Sequence, residues 1–172
     1  VSLSPIYSLF TDYSGKIWIG GAYGLAIYNP ECDCVSSFDD PLTENITIRS
    51  IVADSANNIY IGSNIGITVF NQSTKKFSLY NKVTSVNKMK IYGNKIFVAT
   101  SDFIYVTDLK ANILFTIIND NFKNFNTNHS KVNDILLSSD SCLWIATDNG
   151  GFYCYNLKDN TLLSHNNNAI KK

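Results

Sequence analysis

The stretch Ile17-Trp18-Ile19-Gly20 decides the fold, because close copies of it return three more times along the chain. The copies read Ile59-Tyr60-Ile61-Gly62, Ile96-Phe97-Val98-Ala99 and Leu143-Trp144-Ile145-Ala146. Each is three apolar residues followed by glycine or alanine. A repeat of about 40 residues is typical of an array of similar structural units.

Three further apolar segments surround each copy, so that every repeat contains four short strands. The first segments are Ile6-Tyr7-Ser8-Leu9, Ile48-Arg49-Ser50-Ile51, Val86-Asn87-Lys88-Met89 and Val132-Asn133-Asp134-Ile135. The third segments align as Leu25-Ala26-Ile27-Tyr28, Ile67-Thr68-Val69-Phe70, Phe103-Ile104-Tyr105-Val106 and Phe152-Tyr153-Cys154-Tyr155. The fourth segments are weaker and contain Phe38, then Phe77 and Tyr80, then Ile113 to Ile117, then Leu162 to His165.

The links between these strands carry turn residues such as Gly15, Asn57 and Gly93, which tolerate the positive φ of tight hairpins. The second strands are apolar on both faces, as in a sheet sandwiched between others, and the small residue after each one indicates close packing against a neighbour. A β-sandwich or a β-solenoid fits the repeat length less well. The sequence therefore predicts an all-β chain, a β-propeller segment of about four four-stranded antiparallel blades.

We expect the blades to span residues 4–43, 46–82, 84–127 and 130–168 of one propeller domain. Four blades is the low end of the propeller range, so we expect an open or incomplete ring, completed by a longer parent protein or by a second copy. The first residues already lie close to a strand, which also favours a fragment of a longer protein. No segment is typical of a signal peptide or a membrane helix, which says little about such a parent.

Charge argues against nucleic acid as a partner. The 172 residues carry 14 basic and 14 acidic side chains, and Arg49 is the only arginine. A nucleic-acid surface normally shows clustered lysine and arginine, whereas the lysines here are scattered.

The sequence shows no catalytic constellation. The two histidines, His129 and His165, lie far apart in polar surroundings, whereas a metal site or a nucleophile–base pair needs convergent ligands. The pair Asp39-Asp40 is typical of a solvated turn. We therefore predict a non-enzymatic chain without a metal or cofactor.

The four cysteines allow two interpretations. Cys142 and Cys154 lie on consecutive strands of the fourth repeat, where a cross-strand disulfide would form in an oxidising compartment; free thiols are the alternative. A zinc site that also used Cys32 and Cys34 is disfavoured, because two blades separate the pairs.

The stretch from Ser8 to Leu25, with Asp12, Gly15, Ile17-Trp18-Ile19-Gly20 and Gly24-Leu25, is similar to the repeat of two-component regulator propellers. Leu143-Trp144-Ile145-Ala146-Thr147 also matches, whereas Tyr60 replaces the tryptophan in the second repeat and the third keeps only Val98-Ala99-Thr100. The resemblance implies the periplasmic sensor region of a hybrid two-component system of Bacteroides type. In that family the propeller precedes a β-sandwich, a membrane helix and a histidine kinase, which would lie outside this chain.

Several members of that family look like sensors of glycan fragments, so the resemblance implies an oligosaccharide ligand or a dimer rearrangement that is passed to the kinase. Loops at one end of a propeller would supply an aromatic surface with polar partners. The candidates for ligand binding are Tyr23, Arg49, Asn64, Asp102, Asp148 and Asn149. Arg49 would suit an acidic sugar, although a structural ion pair is the simpler interpretation. The alternatives are a protein–protein scaffold and, less favoured, a propeller lyase or hydrolase.

Overall fold

The computed structural model describes residues 3–38, 40–81, 83–101, 103–118, 131–148 and 151–165. In them the chain forms four antiparallel sheets of four strands each, and every sheet follows chain order. Blade 1 contains β1 (Ile6–Thr11), β2 (Ile17–Gly21), β3 (Gly24–Asn29) and β4 (Cys34–Ser37). Blade 2 contains β5 (Ile48–Ala53), β6 (Ile59–Ser63), β7 (Ile67–Asn71) and β8 (Lys76–Asn81).

Blade 3 contains β9 (Lys88–Tyr92), β10 (Lys95–Ala99), β11 (Phe103–Asp108) and β12 (Ile113–Ile118). Blade 4 contains β13 (Val132–Leu137), β14 (Cys142–Thr147), β15 (Phe152–Asn156) and β16 (Thr161–His165). The all-β prediction and the four-stranded blades are confirmed. Within the described ranges no helix is long and apolar enough to cross a membrane.

The first-to-second strand turns of blades 1 and 2 are built around a buried aspartate. The carboxylate of Asp12 accepts hydrogen bonds from the backbone nitrogens of Ser14 and Lys16, at 2.8 and 3.2 Å, and from Trp18 Nε1 at 2.9 Å. Asp54 accepts equivalent bonds from the backbone of its own turn and from the Tyr60 hydroxyl. One carboxylate thus shapes the turn and fixes the aromatic residue of the second strand.

The core consists of three layers, one between each pair of consecutive blades. The innermost strands contact one another in chain order, β1 with β5, β5 with β9 and β9 with β13. The layer between blades 1 and 2 contains stacked and tilted aromatic rings; its members include Trp18, Phe38, Phe70 and Phe77. All five residues of β6 are buried, as expected for a strand covered on both faces.

In blades 1 and 2 the glycine that ends the repeated apolar triplet lets the next blade approach closely. A Cβ atom added at Gly20 would lie 2.5 Å from Ile48 Cγ2, and one added at Gly62 would lie 2.5 Å from Val86 Cγ1. Both contacts are with the next blade, which confirms the steric prediction made from the sequence.

The third blade differs from its predicted alignment by one residue. In the structure Gly20 pairs with Leu25, Gly62 with Ile67 and Ala99 with Ile104. Ile104, and not Phe103, is therefore the equivalent of Leu25. The alignment was wrong here because Phe103 is apolar and occupies the place that Gly24 and Gly66 hold in blades 1 and 2.

Two disulfides are present. Cys142 and Cys154 are joined across β14 and β15, with Cα atoms 5.8 Å apart. Cys32, in the turn between β3 and β4, is joined to Cys34, the first residue of β4, with Cα atoms 5.3 Å apart. The Cys32–Cys34 disulfide was not expected from the sequence, because two cysteines only two positions apart cannot lie opposite each other on neighbouring strands.

Candidate functional site: one end of the innermost strands

Blades 1, 2 and 4 have an irregularity at the same place in the first strand. The register shifts between Ile6 and Ser8, between Ile48 and Ser50, and between Val132 and Asp134. In blade 3 the equivalent residue precedes β9, and its backbone nitrogen donates to Ala99 O at 2.8 Å. The four residues concerned, which we call the bulge row, are Tyr7, Arg49, Asn87 and Asn133.

A β-bulge redirects a side chain, and bulges are frequent beside functional sites. The guanidinium carbon of Arg49 lies 5.2 Å from the ring centroid of Tyr7, so these two side chains meet across blades 1 and 2. The Tyr7 side chain remains 44% exposed. A cation against an aromatic ring is an attractive arrangement, and it leaves part of the ring accessible to a ligand.

Asn87 contributes a buried donor to the row. Its Nδ2 atom is buried and has no hydrogen-bond partner among the described residues. A buried polar group without a partner is costly. Such a group is also suited to a ligand that supplies an acceptor oxygen.

Positive charge extends from the row along the inner strands. A groove of about 370 Å³ runs beside β1, β5 and β9, and Lys88 and Lys90 are among the residues that line it. Lys88 Nζ lies 3.8 Å from Asp134 Oδ1, which partly balances this charge. Together with Arg49, the lysines favour a ligand that carries negative charge.

The loops between second and third strands lie at the same end as the bulge row, because the last residues of the second strands pair with the residues just before the bulges. Tyr23 is 60% exposed on the first of these loops. Asp148 is exposed on the fourth, and its backbone nitrogen donates to Lys131 O at 3.2 Å. Both are accessible to a ligand.

Asn64, a candidate for ligand binding, also has a structural role. Its side-chain oxygen accepts a bond from the Thr47 backbone nitrogen at 2.9 Å, and its own backbone nitrogen donates to Thr47 O at 3.1 Å. The residue therefore holds the chain that enters β5. Asp102 and Asn149, the other loop candidates, lie outside the described residues.

Sequence reasoning missed three members of the bulge row, although the signal was visible. Tyr7, Asn87 and Asn133 occupy the same column of the repeat alignment as Arg49, directly after an apolar column. A polar or aromatic residue that returns at one position of every repeat marks a common orientation. The bulge itself, which determines that orientation, is not evident from the sequence.

The acidic pair and the two histidines considered in the sequence add nothing to the bulge row. Asp40 accepts a bond from the Leu42 backbone nitrogen at 2.9 Å, as a turn residue does, and its neighbour Asp39 lies outside the described residues. His129 also lies outside them, and of His165 only the backbone, in β16, is described. Across the described ranges no three potential metal ligands cluster.

Comparison with known proteins gives structural matches only. No family model matches the chain, and no curated protein matches it. Among solved structures, the extracellular domain of a hybrid two-component system from B. thetaiotaomicron is similar, with 19% identity and a TM-score of 0.71 over 86% of this chain and 21% of that one. A second such domain from B. thetaiotaomicron shows 18% identity and a TM-score of 0.73 over 94% and 23%.

Virginiamycin B lyase from Staphylococcus aureus is also similar, with 15% identity and a TM-score of 0.74 over 95% of this chain and 56% of that one. These matches, together with four consecutive four-stranded blades, settle the architecture. The chain is a β-propeller segment. It spans less than a quarter of the two B. thetaiotaomicron domains and about half of the lyase.

Proposed function

We propose that this propeller segment is a non-catalytic, ligand-binding part of the periplasmic sensor region of a two-component receptor. The observation that carries the proposal is the bulge row, where Arg49 lies over the Tyr7 ring and Asn87 presents a buried donor. The repeat resembles that of two-component regulator propellers, and extracellular domains of two-component systems share the fold. Both support a sensor role.

The chemistry of the bulge row suits an oligosaccharide. A sugar ring offers an apolar face for Tyr7 and hydroxyl oxygens for the Asn87 amide. Arg49 binds carboxylate or sulfate groups in a fork geometry, and Lys88 and Lys90 add positive charge nearby. We therefore propose that acidic glycan fragments bind at this end more tightly than neutral ones.

Signal transmission would be mechanical. The bulge row spans all four blades. Arg49 and Tyr7 join blade 2 to blade 1, and directly beside the row the ion pair of Lys88 and Asp134 joins blade 3 to blade 4. A ligand that prefers one relative arrangement of the blades shifts the population toward it. A kinase elsewhere in the parent protein would read the corresponding dimer rearrangement, and the only membrane contact would be through a helix of that parent.

Thermal-shift measurements with a panel of neutral and acidic oligosaccharides test the proposal. We expect at least one acidic member to raise Tm and the Arg49→Ala variant to lose this shift. Lys76→Ala, which removes an exposed cation from the outer strand β8, is the matched control and should keep it. If no member of the panel shifts Tm, direct glycan sensing is wrong.

We further propose that neighbouring blades of the same propeller cover the two open sheet faces. On blade 1 the free face carries Leu9 and Val35, which are 68% and 63% exposed, and on blade 4 it carries Leu136 and Leu163, which are 57% and 58% exposed. Apolar faces of this kind are seldom left in water. In the isolated chain a second copy would cover them.

A protein–protein scaffold is the alternative function, and the same two faces favour it. If they bind a different protein, that partner should form a stable complex with the chain and no oligosaccharide should shift Tm. Substitutions at Leu9 or Leu136 would then weaken the complex, whereas Arg49→Ala would not.

A further inference from the structure

The connections between consecutive blades differ in length. Ten residues join β4 to β5, whereas six join β8 to β9. The longer link folds back into the space between blades 1 and 2, where Thr43 is completely buried and Glu44 forms a bridge with Gly24. Thr68 Oγ1 of blade 2 donates to Leu42 O of this link at 3.3 Å. The gap between these blades is therefore filled.

The shorter link leaves the corresponding gap between blades 2 and 3 open. A groove of about 480 Å³ lies there, and its lining includes Asn81, Thr84, Ser85, Thr100, Phe103 and Tyr105. The groove shares no residue with the bulge row.

Phe103 makes one wall of this groove aromatic. Blades 1, 2 and 4 have a glycine with positive φ at the start of the third strand or immediately before it, at Gly24, Gly66 and Gly151. In blade 3 the equivalent residue is Phe103, whose ring centroid lies 5.7 Å from that of Tyr105. Two half-buried aromatic rings therefore form one wall of the groove.

The walls of the groove are held in place by hydrogen bonds. Thr100 Oγ1 donates to Phe103 O at 2.9 Å and accepts from Phe103 N at 3.1 Å. Asn81 accepts from the Val83 nitrogen at 2.9 Å, and Ser85 N donates to Asn64 O at 3.2 Å. These bonds hold the start of β11 and the link that follows β8.

The described polar side chains that line the groove are uncharged. Thr84 and Ser85 are exposed, and Ser101 is half-buried beside the aromatic wall. No described lining residue carries a formal charge at neutral pH. Aromatic rings beside hydroxyl groups, without charge, match a neutral ring that has one apolar face and a polar edge.

We propose that the groove between blades 2 and 3 is a second ligand site and that it binds a neutral sugar ring. The apolar face of the sugar packs on Phe103 and Tyr105. Its hydroxyl groups exchange hydrogen bonds with Thr84, Ser85 and Ser101. Selectivity is opposite to that of the bulge row, because cations line that end and none of the described residues places one here.

Saturation-transfer NMR on the full chain tests this site, with D-glucose, D-galactose, D-xylose and N-acetylglucosamine as neutral probes and D-glucuronate as the charged one. We expect transfer to at least one neutral probe. Phe103→Gly, which restores the residue of the other blades, should weaken its affinity about tenfold, the size of effect expected when an aromatic contact is lost. Tyr105→Ser should act in the same direction.

A matched control is Tyr13→Ala, which removes an exposed ring from a blade 1 turn and should leave the neutral-probe signal unchanged. The proposal is overturned if no neutral probe gives a signal, if the signal persists in both groove variants, or if Tyr13→Ala abolishes it. A loss of acidic-glycan binding in Arg49→Ala alone bears only on the bulge row.

Discussion

Blade 1 and the other three blades have the same sequence pattern but different surroundings. In the first strand, Leu9, Ile51, Met89 and Ile135 occupy one column of the repeat. Leu9 is 68% exposed, whereas Ile51 is 5%, Met89 0% and Ile135 1% exposed. Blade 1 lacks a preceding neighbour, and the other three blades have one. A residue suited to a buried layer thus stands on the surface, which indicates that the layer is incomplete.

The largest expected difference between the two environments comes from truncating this column. Ile51→Ala removes buried methylenes between blades 1 and 2 and should lower the free energy of unfolding by about 3 kcal/mol. Leu9→Ala should change it by less than about 0.5 kcal/mol. Denaturant unfolding at a concentration where the chain is monomeric measures both. Equal costs would contradict the assignment of an open face on blade 1.

Adding volume gives the converse test. Gly62→Val places a branched side chain where Val86 Cγ1 is only 2.5 Å from the first added atom, and we expect a loss of about 2–3 kcal/mol. Ala146→Val changes the equivalent residue on the exposed face of blade 4 and should be nearly neutral for folding. Thermal unfolding of the two variants compares them. A neutral Gly62→Val would show that the blades are less tightly packed than described.

Asp12 and Asp140 provide a smaller comparison within the turns. Burial acts to raise the pKa of Asp12, but hydrogen bonds from Ser14, Trp18 and Lys16 outweigh burial and lower the pKa. Asp12→Asn should cost about 2 kcal/mol, since it removes a buried charged acceptor. Asp140 is exposed and bonds mainly to Ser138, so Asp140→Asn should cost measurably less.

The lowered pKa of Asp12 also fixes the sign of its pH dependence. Its contribution to stability is present above the unfolded-state pKa, about 3.9, and is lost as the pH falls through the lower folded-state value. The stability difference between the wild-type chain and Asp12→Asn should therefore narrow below about pH 4. A difference that grows on acidification would contradict the sign.

The repeat made most of the fold predictable. Ile17-Trp18-Ile19-Gly20 and its copies located the second strands, and the small fourth residue predicted the close contact later seen at Gly62. The register of β11 was not predictable, because Phe103 is as apolar as Leu25 and only backbone pairing distinguishes them. The bulge row was predicted only in part: Arg49 was a candidate for ligand binding, whereas Tyr7, Asn87 and Asn133 were missed, because a bulge depends on pairing with the next strand. The groove between blades 2 and 3 was not predictable from the sequence. It results from the short link between β8 and β9 and from the position of Phe103 at the start of β11.

Light scattering coupled to size-exclusion chromatography tests the central claim, that the chain is a propeller segment with two open blade faces. One chain has a mass of 19.2 kDa. We predict that the isolated chain elutes with the mass of two chains or more, and that Leu9→Lys combined with Leu136→Lys returns it to the mass of one. A wild-type chain that stays monomeric and well behaved at every concentration would contradict the account.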